Sequence, residues 1–99
     1  MQAAAAIADP IRRRVLELVR DAEVPAGELA AQFDVSRPAV SRHLRVLREA
    51  GLVRERREGR LRLYRADPAP LADLREWLER YWEARLEALR SLAEEDELR

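Results

Sequence analysis

Residues 36–53, which read SRPAVSRHLRVLREAGLV, constrain the fold of this chain more than any other stretch. Ser36 belongs to a residue type preferred as a helix N-cap, and Pro38 falls in the first turn, where a missing N–H costs nothing. Gly51 suits the left-handed conformation that often ends a helix. The stretch therefore predicts a helix that begins at Ser36 and runs to Ala50.

The side chains of this predicted helix separate into two faces when successive residues are turned by about 100°. One face is apolar apart from a histidine, and its members are Ala39, Val40, His43, Leu44, Val46, Leu47 and Ala50. The other face carries Arg37, Pro38, Ser41, Arg42, Arg45, Arg48 and Glu49. The major groove of B-DNA admits a helix, and arginine pairs with guanine there. The pattern is suited to DNA, although exposed arginine on a solvated helix is also common.

Shorter helices are predicted before this one. The opening AAAAIA is compatible with a helix, and Asp9-Pro10 reads as an N-cap and first helical residue of a second helix that continues to about Arg20. Pro25 begins a third helix that reaches Phe33, and FDVS makes a tight connection to Ser36. Two helices joined by such a turn, the second of them basic, form a helix-turn-helix whose second helix reads the DNA groove.

A β-hairpin is predicted after Gly51. The stretches LVRERR and RLRLYR alternate polar and apolar residues, and a two-residue link that ends in glycine, Glu58-Gly59, suits a hairpin turn. In that register Val53 faces Tyr64, and Glu55 faces Arg62 as a cross-strand ion pair. The hairpin would form a wing beside the basic helix.

Basic charge is concentrated in one part of the chain, although the net charge is zero. Residues 1–66 contain 14 arginines and nine acidic residues, whereas residues 67–99 contain five arginines and ten acidic residues. The segment 37–65 alone holds ten arginines and three acids. Phosphate is the counter-charge that best accounts for this density.

The last predicted helix begins at Asp67-Pro68 and runs to about Ala93. Apolar residues follow it in two adjacent rows, the first made of Leu71, Leu74, Leu78, Trp82, Leu86, Leu89 and Ala93, the second of Trp77, Tyr81, Ala84, Ala88 and Leu92. Together they cover more of the helix than a thin domain can bury, which favours a second copy of the chain as the cover. The aromatic residues are more typical of a core or interface than of a ligand pocket, which is the alternative.

Length and composition restrict the other possibilities. The 99 residues predict one small domain, and no apolar run approaches the ~20 residues that span a bilayer. The start of the chain lacks the features of a signal peptide, so we expect a cytoplasmic protein with no membrane partner. With no cysteine, one histidine and no glycine-rich phosphate loop, we expect neither an enzyme nor a bound metal or cofactor.

Two smaller features have alternative interpretations. His43 is expected to pack with one hydrogen bond, with contact to DNA and metal binding as the alternatives. The arginines at 12–14 lie near a helix N-terminus, where cations are mildly disfavoured. Pairing with Asp9 or Glu17 is the preferred interpretation, and a phosphate contact is the other.

Three motifs, ADPIRRRVLELV, GELAAQFDVSRPAVSRHLRVLREAGLV and RREGRLRLYR, resemble the winged helix-turn-helix repressors of the ArsR type over nearly the whole chain. The resemblance implies a mainly α fold with a small β-hairpin, in the order α-α-α-α-β-β-α, that dimerises through its terminal helices. It divides the single domain 1–99 into a DNA-binding core of about residues 9–66 and a dimerisation helix of about residues 68–93.

The matching positions imply DNA contact by residues of the basic helix and the wing, namely Ser36, Arg37, Pro38, Ser41, Arg42, Arg45, Arg57 and Arg60. They imply a dimer interface that includes Ile7, Leu74, Trp77, Leu78, Tyr81, Trp82 and Leu89. Classical members sense metals through cysteines before the basic helix or through histidines on the last helix. AGELAAQF has no cysteine and the last helix has no histidine, so metal sensing at those sites is disfavoured.

The sequence thus favours a sequence-specific regulator of transcription that binds double-stranded DNA. We expect a homodimeric repressor that occupies an inverted-repeat operator through the recognition helix 36–50 and the wing 53–65. A small-molecule effector is compatible with the sequence but unidentified. The alternative is a winged-helix module whose basic face binds an acidic protein partner, because the fold alone does not separate the two functions.

Overall fold

The computed structural model of the chain describes residues 2–97, so residues 1, 98 and 99 of the predicted domain lie outside the described part. It contains α1 (Gln2–Ile7), α2 (Pro10–Leu18), β1 (Val24–Pro25), α3 (Ala26–Ala31), α4 (Arg37–Glu49), β2 (Val53–Glu58), β3 (Leu61–Ala66) and α5 (Ala69–Glu97). The predicted order of helices and hairpin is confirmed, with one addition, the short strand β1.

The start of α2 follows the predicted cap. The Asp9 carboxylate accepts hydrogen bonds from the backbone N–H groups of Ile11 (2.8 Å) and Arg12 (3.2 Å), and Pro10 is the first helical residue. A related bond precedes α5, where the N–H of Ala69 donates to Asp67 (3.1 Å), but this helix begins at Ala69 rather than at the predicted Asp67-Pro68. A carboxylate at such a position satisfies N–H groups that have no partner within the helix.

Three predicted helix ends differ from the structure. α2 ends at Leu18 rather than near Arg20, and α3 ends at Ala31 rather than at Phe33. α5 continues to Glu97, past the predicted end at about Ala93, because the residues that follow Ala93 include no glycine or proline that would stop it.

Both ends of α4 are built as predicted. The Ser36 hydroxyl accepts the N–H of Ala39 (3.2 Å) at the start. At the other end Gly51 has a φ of +74°, its N–H donates to the carbonyl of Arg48 (2.9 Å), and the N–H of Leu52 donates to that of Leu47 (2.9 Å). This pair of bonds is a Schellman motif, which ends the helix and turns the chain into β2.

The predicted hairpin register is wrong by two residues. Val53 lies opposite Ala66 rather than Tyr64, and Glu55 lies opposite Tyr64 rather than Arg62. The two linking residues are Gly59-Arg60 rather than Glu58-Gly59. Gly59 has a φ of +60°, and a type II′ turn places glycine at the first of its two central positions. A shift of two residues leaves every side chain on its predicted face of the sheet.

A third strand completes the sheet in the order β1-β3-β2. Val24 pairs with Tyr64, and Pro25 pairs with Leu63, in an antiparallel arrangement. Proline is tolerated there because β1 is an edge strand. The strand joins the start of the helix-turn-helix to the base of the wing.

The core lies between the helices and one face of the sheet. Its buried members are Ala3, Ala6, Val15, Val19, Leu29, Val40, Leu44, Leu47, Leu52, Val53 and Tyr64. The buried side of α4 is the predicted apolar face, except that Val46 is 38% exposed. α5 touches the body only near its start, where Leu74 is buried and Leu71 is half-buried. No helix between residues 2 and 97 is long and apolar enough to cross a membrane.

Candidate nucleic-acid interface

The outward face of α4 presents the predicted DNA-contact residues to solvent. Arg37, Pro38, Ser41, Arg42 and Arg45 are all exposed, because the opposite side of the helix is fixed in the core. Within residues 2–97, the guanidinium groups of Arg37, Arg42 and Arg45 form no ion pair with a carboxylate. These three cations are therefore available to an anion from outside the chain.

Ser36 combines two possible roles at the start of this face. Its oxygen accepts the N–H of Ala39 and caps the helix. A hydroxyl also has one hydrogen to donate, and that hydrogen is not used by the cap. The exposed Ser36 is therefore able to donate to a phosphate oxygen while it continues to cap α4.

The six arginines of the hairpin differ in their surroundings. Arg56 donates two hydrogen bonds to Glu23 (2.8 and 2.9 Å), which lower the pKa of Glu23, and Arg54 forms an ion pair with Asp67 (3.0 Å). These two arginines join the hairpin to the body rather than facing an external partner.

The remaining hairpin arginines are Arg57, Arg60, Arg62 and Arg65. Arg57 is 3.7 Å from Glu55, whereas Arg60 lies in the exposed turn. Within residues 2–97, Arg60, Arg62 and Arg65 make no ion pair with a carboxylate. Of the two predicted wing contacts, Arg60 thus has no carboxylate partner, and Arg57 lies near the Glu55 carboxylate, which also pairs with Arg48.

A basic cleft of about 250 Å³ separates α4 from the wing. Its polar lining is Ser41, Arg42, Arg45, Arg48, Arg62 and Tyr64. The cleft brings three predicted α4 residues together with Arg62, which the sequence did not identify as a site residue. Cations on both sides of a groove favour the binding of a polyanion. Arg62 could not be predicted as part of this site, because the sequence does not show how close β3 lies to α4.

Glu55 is an acidic residue beside this basic cleft, and its side chain is only 12% exposed. It accepts hydrogen bonds from the Arg48 guanidinium of α4 and from the Tyr64 hydroxyl of β3 (3.3 Å). Burial raises its pKa, but these two bonds and the charges of Arg48 and Arg62 outweigh burial, so the pKa of Glu55 lies below its ordinary value. The carboxylate thus connects the recognition helix to both strands of the wing.

Arg12 connects α1, α2 and α4. Its guanidinium donates to the carbonyls of Ala6 (2.6 Å) and Ala5 (3.2 Å) at the end of α1 and lies 3.2 Å from Nδ1 of His43. Since a guanidinium only donates, His43 Nδ1 is the acceptor in this hydrogen bond. The expectation that His43 packs with one hydrogen bond is confirmed.

The predicted partners of the three consecutive arginines are correct only in part. Arg14 forms an ion pair with Glu17 (3.0 Å), as expected. Arg12 and Arg13 instead donate to carbonyls at the end of α1, with Arg13 bonded to Ile7 (2.8 Å). Helix-terminal carbonyls lack partners within the helix and carry partial negative charge, which explains this choice. No group of three His, Cys, Asp or Glu side chains in residues 2–97 is arranged to hold a metal ion.

The predicted dimer residues are mostly gathered on α5. Beyond the body the helix exposes seven large apolar side chains, Trp77, Leu78, Tyr81, Trp82, Leu86, Leu89 and Leu92, each 41–62% accessible, which we call the apolar face of α5. Leu74 and Ile7 differ, because Leu74 is buried and Ile7 is half-buried within the subunit. An exposed apolar surface of this extent is typical of an interaction site.

The fold and the basic face of α4 define a winged helix-turn-helix protein. A sequence model of the helix-turn-helix domain matches residues 7–56. The chain is 48% identical over 77 residues to the HTH-type transcriptional regulator Rv2034 of Mycobacterium tuberculosis, covering 78% of this chain and 72% of that protein. It is 34% identical over 73 residues to the transcriptional repressor SdpR of Bacillus subtilis, covering 74% and 81% respectively.

A solved structure supports the same relationship. The ArsR-like transcriptional regulator from Rhodococcus sp. RHA1 superposes with a TM-score of 0.80 at 36% identity, over 94% of this chain and 88% of that one. The chain belongs to the ArsR family of winged helix-turn-helix transcriptional regulators. It is therefore a DNA-binding regulator of transcription and not an enzyme, as predicted.

Proposed function

We propose that the chain is a cytoplasmic homodimeric repressor that binds an inverted-repeat operator. In this proposal residues 9–66 form the DNA-binding core, and about residues 68–93 form the dimerisation helix. The observation that carries the proposal is the exposed row of guanidinium groups on α4, whose charges no carboxylate of the described chain compensates. Repression is proposed from the name of the relative SdpR, a transcriptional repressor.

The proposed roles of the DNA-contact residues follow from their positions. Arg42 and Arg45 lie near the middle of α4, so they would enter the major groove and pair with guanine edges. Ser36, Arg37, Pro38 and Ser41 lie at the start of the helix, where contact with the phosphate backbone and neighbouring bases is expected. Arg57 and Arg60 of the wing would contact adjacent backbone.

The proposed homodimer is supported by the apolar face of α5. A two-fold axis would bring this face, together with the half-buried Ile7, against the same surface of a second copy, and the buried Leu74 would support the face from within its own subunit. Cover of this kind would remove seven large side chains from water, which single subunits leave exposed. The two recognition helices would then reach half-sites about 34 Å apart.

The decisive experiment is the selection of bound fragments from random DNA, followed by fluorescence anisotropy on the selected duplex. Arg42→Ala and Arg45→Ala are each expected to cost about 1–3 kcal/mol of binding free energy and to reduce the preference for the selected sequence. Arg80→Ala removes an equal charge from the far side of α5 and is expected to leave the affinity unchanged. If Arg42→Ala and Arg45→Ala change the affinity no more than Arg80→Ala does, α4 is not the helix that reads the DNA.

The oligomeric state is tested separately by sedimentation equilibrium. The chain is expected to sediment as a dimer, and Trp82→Glu is expected to shift the population toward monomer because it puts a charge into the apolar face.

Binding to random duplex at low salt tests the alternative function. If random duplex is not bound at all at low salt, the basic face would instead serve an acidic protein partner. A selected site without two-fold symmetry would contradict the operator proposed here.

A further inference from the structure

Arg85 occupies the middle of the apolar face of α5. At about 100° per residue, Leu78, Tyr81, Leu89 and Leu92 all lie within roughly 40° of it around the helix axis. The acids of the same stretch lie at least roughly 120° away, and they are Asp73, Glu76, Glu79, Glu83 and Glu87. The acidic residues 94–97 begin about 14 Å further along the helix. One cation is thus surrounded by apolar and aromatic side chains.

The contacts of Arg85 differ from those of neighbouring arginines. Arg75 forms an ion pair with Glu79 (2.9 Å), and Arg90 lies 3.5 Å from Glu87. The Arg85 guanidinium instead lies over the Tyr81 ring, 5.1 Å from its centroid. Among residues 2–97 it forms no ion pair with a carboxylate. In a lone subunit the charge of Arg85 is therefore solvated by water and has no carboxylate as counter-charge.

Tyr81 is itself held in place by two tryptophans. Trp77 stacks on it, with 5.6 Å between ring centroids and an interplanar angle of 14°, and Trp82 meets it edge-on at 5.9 Å. The cation–π contact places the guanidinium over one member of this aromatic cluster. The N–H groups at the edge of the guanidinium remain able to donate to an anion.

In the proposed homodimer, the helices that meet at the interface would place no carboxylate against Arg85. A two-fold interface brings the same surface from each copy together, so each Arg85 would meet apolar residues of the other α5. The other terminal helix, α1, has the sequence QAAAAI and contributes no acid. Burying a cation without a counter-charge is unfavourable, so an anion that comes with the interface would stabilise the dimer.

We propose that the groove around Arg85 binds a small organic carboxylate with an apolar body, between the two α5 helices of the dimer. The groove has a volume of about 510 Å³ and is lined by Tyr81, Trp82, Arg85, Ala88, Leu89 and Leu92. That volume belongs to the open surface of a single subunit, and the partner's α5 would close over it. One guanidinium pairs with the carboxylate in a bidentate manner, and the aromatic and leucine side chains cover the apolar part. The site rests on the proposed homodimer and would make the regulator responsive to such a metabolite.

Titration of the full-length protein with matched acids and alcohols tests the site. Of the two tryptophans of the chain, Trp82 lines the groove and Trp77 stacks on Tyr81, which also lines it, so tryptophan fluorescence reports occupancy. Octanoate and 4-phenylbutyrate are expected to bind at least tenfold more tightly than 1-octanol and 4-phenylbutan-1-ol. The two acids also separate an aliphatic from an aromatic ligand. Equal affinity of acid and alcohol would overturn the proposal.

Variants of Arg85 identify the group that selects the anion. Arg85→Gln is expected to abolish the preference for the acids, whereas the matched control Arg80→Gln on the polar side of α5 is expected to retain it. Arg85→Leu is expected to tighten the ligand-free dimer by about tenfold in sedimentation equilibrium, because an apolar residue replaces an unpaired cation. A looser Arg85→Leu dimer would overturn the proposal, because it would mean that a carboxylate of the partner already pairs with Arg85.

The outcomes separate this site from the proposed function. A dimeric wild-type protein with no preference for acids overturns the carboxylate site alone. A monomeric wild-type protein that binds the acids through Arg85 overturns the homodimer and, with it, the placement of the ligand between two α5 helices. A monomer without such binding overturns both.

Discussion

Loss of the Glu55 carboxylate is predicted to destabilise the protein more than loss of any other acid in the wing. Glu55→Ala removes the acceptor for the Arg48 guanidinium and for the Tyr64 hydroxyl. A hydrogen bond to a charged group contributes about 1.5–3 kcal/mol and a neutral one about 0.5–1.5 kcal/mol. Since the Glu55 side chain is only 12% exposed, we expect the free energy of unfolding to fall by about 2–4 kcal/mol.

The matched control is Glu58→Ala in the same strand. The Glu58 side chain is 65% exposed, and its partner Arg56 keeps two bonds to Glu23 when Glu58 is removed. Exposed pairs of this kind contribute about 0–1 kcal/mol. Urea unfolding followed by circular dichroism measures both losses, at one protein concentration because a dimer is stabilised by mass action. Equal losses for the two variants would refute the inference that Glu55 holds the wing to α4.

The same residue predicts a pH dependence with a definite sign. The pKa of Glu55 in the folded protein lies below its ordinary value of 4.5, so the folded state binds this proton less readily than the unfolded chain. The stabilisation is therefore fully present above pH 4.5 and is lost as the pH falls through the folded pKa. The difference in unfolding free energy between wild type and Glu55→Gln should be constant from pH 7 to about 5.5 and should shrink in acid. A difference that does not change with pH would contradict this explanation.

Three further variants test other parts of the molecule. Arg60→Ala should weaken binding to all duplexes by a similar factor and reduce the slope of log affinity against log salt by about 1, whereas a selective loss on one sequence would indicate base contact. Leu47→Ala should lower the free energy of unfolding by about 2–5 kcal/mol, because Leu47 is fully buried in the core; a loss under 1 kcal/mol in urea unfolding would contradict this packing. Arg12→Ala should speed amide hydrogen exchange in α1, because it removes bonds to the carbonyls of Ala5 and Ala6, and unchanged exchange would show that α1 does not depend on them.

Features of the fold that depend on neighbouring residues were predictable from the sequence. Ser36, Pro38 and Gly51 act within one or two turns of α4, and each has the expected role in the structure. The hairpin register was not predictable, because either residue pair that contains Gly59 was a plausible link. The positive φ of Gly59 selects the turn in which glycine comes first.

Features that depend on distant parts of the chain were not predictable. β1 has only two residues and exists because β3 offers it a partner 40 residues along the chain at Tyr64. The bonds from Arg12 to α1 and from Arg48 to Glu55 likewise join different elements. Charge counts indicate that such pairs are possible, but only the packing of α1, α4 and the sheet decides which arginine meets which acceptor. The division of α4 into an exposed basic side and a buried apolar side was predictable, because the residues concerned share one helix.

The distribution of acids explains how a chain of zero net charge presents a basic surface. Two acids near the helix-turn-helix and wing pair with an arginine of another segment, Glu55 with Arg48 and Glu23 with Arg56. Within residues 2–97 these carboxylates leave the arginines at the start and middle of α4 and at the tip of the wing without ion pairs. The paired arginines thus fix the angle between helix and wing, and the unpaired ones supply the field that attracts phosphate. Nine of the 19 acidic residues lie on α5 rather than among the arginines of α4, and they offset much of the positive charge of the chain.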